Sequence, residues 1–136
     1  MLTLEKALQA AHSAIEEAKK LGTTISVSVV DDSGIEVVLL KMDSALPVSP
    51  EFAHAKAYTS ATLRLPTAGI AEYAVAGKPY YGTTSSFSGK FMVIAGGLPI
   101  QEGDHVIGGI GVGGSHDVSQ DVACAEAGLR VFQSGQ

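Results

Sequence analysis

Nine residues near the end of the chain, Val106-Ile107-Gly108-Gly109-Ile110-Gly111-Val112-Gly113-Gly114, restrict the fold more than any other segment. The β-branched residues predict a strand, the last of the chain, over His105 to Gly113. Residues two apart in a strand share a face, so Gly109, Gly111 and Gly113 leave one face without side chains. Glycine weakens a strand, and three on one side require something to approach the backbone closely. A packed helix or a partner subunit would do so; so would a flat ligand lying on bare backbone. Gly109 to Gly114 also spells G-x-G-x-x-G. That match lies mostly inside the strand and no βαβ unit follows, so it predicts no dinucleotide site.

The remaining elements follow from periodicity. Leu4, Leu8, Ala11, Ile15 and Ala18 recur at helical steps, with Thr3 as N-cap and Gly22 as stop. Thr24–Val30 alternates, Asp31-Asp32-Ser33-Gly34 is a turn signal, and Ile35–Leu40 completes a β-hairpin. Ser49-Pro50-Glu51 starts a second helix, with Ser49 capping and Pro50 at the first helical position. Pro66 interrupts it, and a third helix runs from Thr67 to Ala76. Tyr80–Gly89 has no period and reads as a loop. Phe91–Ala95 reads as a short strand, with one further strand near Tyr80 or Ile100 and a turn over Gln101–Asp104. A final helix spans Asp117–Gln133, with Val118, Val122, Ala125, Leu129 and Phe132 along one stripe. No internal repeat or linker divides residues 1–136, which read as a single α+β domain.

Charge and cysteine content narrow the functional classes. Nine basic and fourteen acidic residues give a net charge of −5, with no Lys/Arg cluster. Nucleic acid and anionic membranes both call for a concentrated basic face, so neither is an expected partner. One cysteine, Cys124, leaves no internal disulfide and no thiolate-rich zinc site. Met1–Glu5 has neither the basic nor the apolar region of a signal peptide, and no apolar run approaches membrane-spanning length. The expected location is cytoplasmic. Charged residues are only 17% of the chain, below the ~25% of an average domain. Some apolar surface is therefore expected to stay uncovered in the monomer, for self-association or for a ligand groove.

Several motifs, in order, carry a resemblance: Val29-Val30-Asp31-Asp32-Ser33-Gly34, Lys41-Met42-Asp43, Ala55-Lys56-Ala57-Tyr58-Thr59-Ser60-Ala61, Arg64-Leu65-Pro66-Thr67, Gly96-Gly97-Leu98-Pro99-Ile100, Ile107-Gly108-Gly109-Ile110-Gly111-Val112 and Gln120-Asp121 with Ala125-Glu126-Ala127-Gly128. Together they resemble the GlcG/HbpS family, which includes haem-binding proteins and the carboxy-terminal domain of PduO-type corrinoid proteins. The resemblance implies a profilin-like α/β/α sandwich with a five-stranded antiparallel sheet flanked by helices. It implies assembly into a dimer or larger homo-oligomer, and non-covalent binding of haem or a related tetrapyrrole. His54, Ser60 and Leu65 depart from the more usual residues of those motifs, which bears on the ligand.

The candidate site gathers residues around the glycine face: Lys56, Asp43, His54, Gly96, Gly97, Pro99, Gly109 and Gly111. Lys56 stands among Ala53, Ala55, Ala57 and Ala61, where a partly buried ammonium can hold a carboxylate or propionate, or lose its proton and act as a base. His54 and Lys56 are two residues apart on a helix and need not share a site; His54 pairs better with Tyr58. His12, at the edge of the first helix's apolar face, is a possible axial ligand for haem. No metal-site spacing occurs, so no intrinsic metal is expected, and without C-x-x-C-H haem would not be covalent. Three functions fit: a small-molecule or tetrapyrrole binder, an enzyme acting on an organic acid or aldehyde with Lys56 and Asp43 or Asp121, and a structural accessory subunit.

Overall fold

The hairpin and the glycine strand build the sheet. In the computed structural model, which describes residues 1–133, β1 (Ser26–Asp31) pairs antiparallel with β2 (Glu36–Lys41). Its other edge takes β4 (His105–Gly113), which in turn pairs antiparallel with β3 (Gly97–Glu102). The order is β2-β1-β4-β3, four strands rather than the expected five. Phe91–Ala95 forms no strand. The Met92 N–H instead donates to Thr59 Oγ1 at 2.8 Å, so a helix side chain satisfies this backbone. The strand lies just beyond, near Ile100 as one alternative had it. It carries Pro99 at the sheet edge, where a missing N–H is tolerated.

Two helical layers sandwich this sheet. α1 (Leu4–Leu21) and α4 (Val118–Gln133) cover one face; α2 (Ser49–Leu63), with the short α3 (Thr67–Ala71), covers the other. Both caps expected for α1 are present: Thr3 Oγ1 accepts the Lys6 N–H at 3.2 Å, and Gly22 is left-handed with φ +74°. Ser49 is not the cap of α2. Val48 takes that position, and Ser49 Oγ lies 2.8 Å from Ser26 Oγ in the buried layer between helix and sheet. Pro66 ends the run as expected, but α3 stops at Ala71 rather than Ala76.

The buried stripe of α1 is Ala7, Ala10, Ala11, Ala14 and Ala18, while Leu4 stays exposed. On α4 it is Asp121, Cys124, Ala125, Ala127 and Gly128, and Val118 is exposed. Small residues face inward because the two helices approach closely. A Cβ at Gly128 would stand 2.8 Å from the Ala10 carbonyl oxygen. The larger apolar volume comes from the sheet, where Val27, Val29, Ile110 and Val112 point at this helical pair.

Cys124 lies in that core. Burial, followed by the negative charges of Asp121 and Glu17, pushes its thiol up to about 12. Thiolate is the reactive species, so iodoacetamide at about pH 8 should leave the native protein unlabelled and modify it only in denaturant. Labelling of the native protein at a free-thiol rate would mean that the α1–α4 layer opens.

Candidate functional site

The glycine face is covered by the chain's own α2. A Cβ at Gly109 would lie 2.5 Å from the Ala57 carbonyl oxygen, and one at Gly111 would collide with the backbone of Ala53 and Ala57. Ala53, Ala57 and Ala61 form the matching stripe on α2, and Val30 packs with Ala57 and Ala61 in a small second core. Helix and strand thus meet almost backbone to backbone. Of the three occupants open to this face, the helix is the one present, and Gly109 and Gly111 have no room for a ligand.

That close approach positions Lys56. Its side chain leaves α2 beside the alanine stripe and reaches the end of the β3–β4 ladder. The ladder begins with Gly97 opposite Gly111, and the Val112 N–H still donates to the Gly96 carbonyl at 3.0 Å. The Val112 carbonyl accepts instead from Lys56 Nζ at 2.9 Å. Nζ lies 3.2 Å from Asp121 Oδ2 in the first turn of α4. Both residues are nearly inaccessible, at 2% and 4% exposure. Burial lowers the Lys56 pKa from its ordinary value, and the charge and hydrogen bond of Asp121 oppose the shift.

Asp121 is held from its other side. The Ser115 N–H donates to Oδ1 at 3.3 Å, and Ser115 Oγ is 2.6 Å from both Oδ1 and the Asp117 carbonyl, sharing one proton between them. Gly96 and Gly97 bring β3 against this group. Gly96 has φ +125°, and a Cβ there would be 2.9 Å from Lys56 Nζ; a Cβ at Gly97 would collide with the Lys56 carbonyl oxygen. Above the ion pair opens a cleft of about 120 Å³ walled by Leu46, Phe52, Ile94, Ser115 and Val118.

The structure therefore brings together Lys56, Gly96 and Gly97 of the expected set, with Asp121 chosen over Asp43 as the acid. Asp43 sits on an exposed turn outside the cleft. His54 lies on another flank of α2, its Nδ1 3.1 Å from Glu36 Oε1 and its ring 6.4 Å from that of Tyr58. Pro99 pairs with Gly109 within β3 and does not line the cleft. Leu46, Phe52, Ile94, Ser115 and Val118 were missed, for no spacing links a loop, a helix and a strand end that meet only on folding.

His12 belongs to a different surface. It is exposed on α1 and lines a groove of about 350 Å³ between α1 and α4, with Glu16 and Lys20 from one helix and Ala127 and Arg130 from the other. Arg130 and Lys20 were not singled out from sequence, and each alone looks like an ordinary helix-end cation. Among the described residues no group of three or more His, Cys, Asp or Glu could hold a metal ion, and no helix is long and apolar enough to cross a membrane.

Comparison with known proteins gives a consistent result. A family model described as "Haem degrading protein HbpS-like" matches residues 2–130. The corrinoid adenosyltransferase PduO of Salmonella typhimurium is 32% identical over 127 residues, which are 93% of this chain and 38% of that protein. The chain thus spans well under half of the curated PduO proteins it matches. Among solved structures, Klebsiella pneumoniae protein ORFY superposes with a TM-score of 0.95 at 29% identity, covering 99% of this chain and 92% of that one. The haem complex of PduOC superposes at 0.91 with 32% identity, over 96% of this chain and 94% of that one.

Proposed function

The chain belongs to the HbpS-like family, and from that premise we propose that it binds haem or a closely related tetrapyrrole in the groove between α1 and α4. The observation that carries this reading is an exposed imidazole, His12, in a groove that also holds two exposed cations, Lys20 and Arg130, beside the carboxylates Glu16 and Glu17. A neutral imidazole is a common ligand for haem iron, and the cations suit its propionates. Size separates this groove from the cleft above Lys56. The groove's 350 Å³ falls within the ~300–1,000 Å³ of sites that take drug-sized ligands, whereas the 120 Å³ cleft above Lys56 does not admit a macrocycle. The solved haem complex of PduOC, a related chain, supports the same ligand class.

A bound haem would supply its iron chemistry; this chain's part is to hold it. His12 would ligate its iron, and Lys20 and Arg130 would pair with its propionates. The groove is open on one side, and a second copy of the chain would cover the outer face of the macrocycle. Exposed Tyr73, Val75, Tyr80, Tyr81 and Phe87, all in the segment after α3, favour self-association through a second surface, away from the α1–α4 layer. Light scattering during gel filtration tests that assembly, and a monomer at micromolar concentration would exclude it.

Haemin titration of the protein should give a saturable Soret band. His12→Ala should weaken it by about tenfold or more, roughly 1.4 kcal/mol, and shift its position. His116→Ala, exposed and outside the groove, should leave it as in the natural protein; loss of the band in His105→Ala instead would move the site to the groove that His105 shares with Arg64. An unchanged band in His12→Ala would remove His12 as ligand. No saturable band at all would remove the reading.

A further inference from the structure

The cleft over Lys56 and Asp121 has no part in the haem reading and carries a different chemistry. A buried amine and a carboxylate stand in contact at its floor, and the walls from Leu46, Phe52, Ile94 and Val118 are apolar. Its 120 Å³ equals about four of the ~30 Å³ shares of liquid water, room for roughly four or five non-hydrogen atoms. A free anion is a poor guest, because Asp121 already neutralises Lys56 and would repel it. A small neutral carbonyl compound meets no such charge. Its oxygen suits the ammonium's remaining donor, two of the three being used on Val112 and Asp121.

We propose that this cleft takes a small aldehyde or ketone and holds it covalently, as a Schiff base on Lys56 Nζ, with Asp121 carrying the protons. Lys56 first passes a proton to Asp121 across their 3.2 Å contact. The neutral amine then adds to the carbonyl carbon, forming the C–N bond while the π pair moves to oxygen. Two protons in all travel from nitrogen to that oxygen by way of Asp121, and it leaves as water. One proton stays on the iminium nitrogen, which remains paired with the Asp121 carboxylate. No oxidant or reductant is consumed. The lowering of the Lys56 pKa by burial favours the neutral amine this sequence needs. The reading stands apart from haem binding and survives the loss of His12.

The test uses the intact natural protein incubated with acetone or propanal, reduced with borohydride, and mapped by peptide mass spectrometry. The expected result is a saturable single adduct on Lys56, of the probe's mass less one oxygen, formed ahead of the other six lysines. Asp121→Asn, shown to be folded by circular dichroism, should form it about 100-fold more slowly, the scale of a lost acid–base group. Lys56→Arg should form none at this position while the exposed lysines react as before. Reaction spread over exposed lysines with Lys56 spared would overturn the proposal, whether or not the variants fold. An undiminished rate in folded Asp121→Asn would overturn the proton-carrying role.

Discussion

Gly111→Val should yield little or no folded protein. A Cβ at Gly111 would collide with the Ala53 carbonyl oxygen and the Ala57 nitrogen, and sit 3.0 Å from Lys56 Cβ. Two of these atoms are backbone in the middle of α2, so no rotamer change relieves the clash. The helix must lift from the sheet, which separates Val30 from Ala57 and Ala61 and disturbs the Lys56 contact with Val112. Costs above about 4–5 kcal/mol are exceptional for one substitution, yet a forced separation of two backbone layers has that character. Against a total stability of about 5–15 kcal/mol such a loss leaves a large unfolded population. Gly103→Ala is the control. Gly103, unlike Gly111, has positive φ, +62°, but nothing lies within 4 Å of its added methyl. Its cost should be about 1–2 kcal/mol of backbone strain alone. Urea unfolding followed by circular dichroism measures both. A Gly111→Val protein with a near-natural midpoint would show that α2 does not pack where described.

The second large effect is expected at the ion pair. Lys56→Ala leaves the Asp121 carboxylate at 4% exposure with only Ser115 to bond it. Removing one member of a buried pair typically costs about 3–5 kcal/mol, because the other charge stays buried. Replacing both by apolar residues of similar size, Lys56→Met with Asp121→Leu, should restore most of that loss. The same cycle separates stability from chemistry, for the double variant should fold and form no Schiff base. Stability should also depend on pH through Lys56. Its folded pKa lies below the ordinary 10.5, so above that folded value the unfolded chain binds more protons than the native one. Stability from this group therefore rises with pH through the window between the folded pKa and 10.5, and is weakest below it. The double variant should lack this rise. A Lys56→Ala protein as stable as the natural one would mean that the pair is solvated.

Much of the scaffold was legible in local patterns. The hairpin at Asp31-Asp32-Ser33-Gly34, the caps Thr3 and Gly22 and the interruption at Pro66 depend on neighbours a few residues away, and each was read in place. Errors came where a distant element settled the matter. Ser49 has good capping chemistry, yet Ser26 holds its hydroxyl inside the core. Phe91–Ala95 has the composition of a strand, but Thr59 satisfies its backbone and the ladder starts at Gly97. Of the stripe expected on α1, Ala11 and Ala18 are buried and Leu8 and Ile15 pack at its margin, but Leu4 is exposed, and contact with α4 adds Ala7, Ala10 and Ala14.

The sequence alone determined that one strand would lack side chains on one face, that a helix bearing Lys56 among alanines would exist, and which family motifs accompany them. Alternation, helical period and glycine's missing Cβ are properties of the chain itself. Only the tertiary structure decided that α2 fills the glycine face, that Lys56 meets Asp121 rather than Asp43, and that His12 shares a groove with Arg130. Those pairings join residues far apart in the chain, and they are set by how closely whole helices approach the sheet and one another, a distance that no local pattern encodes.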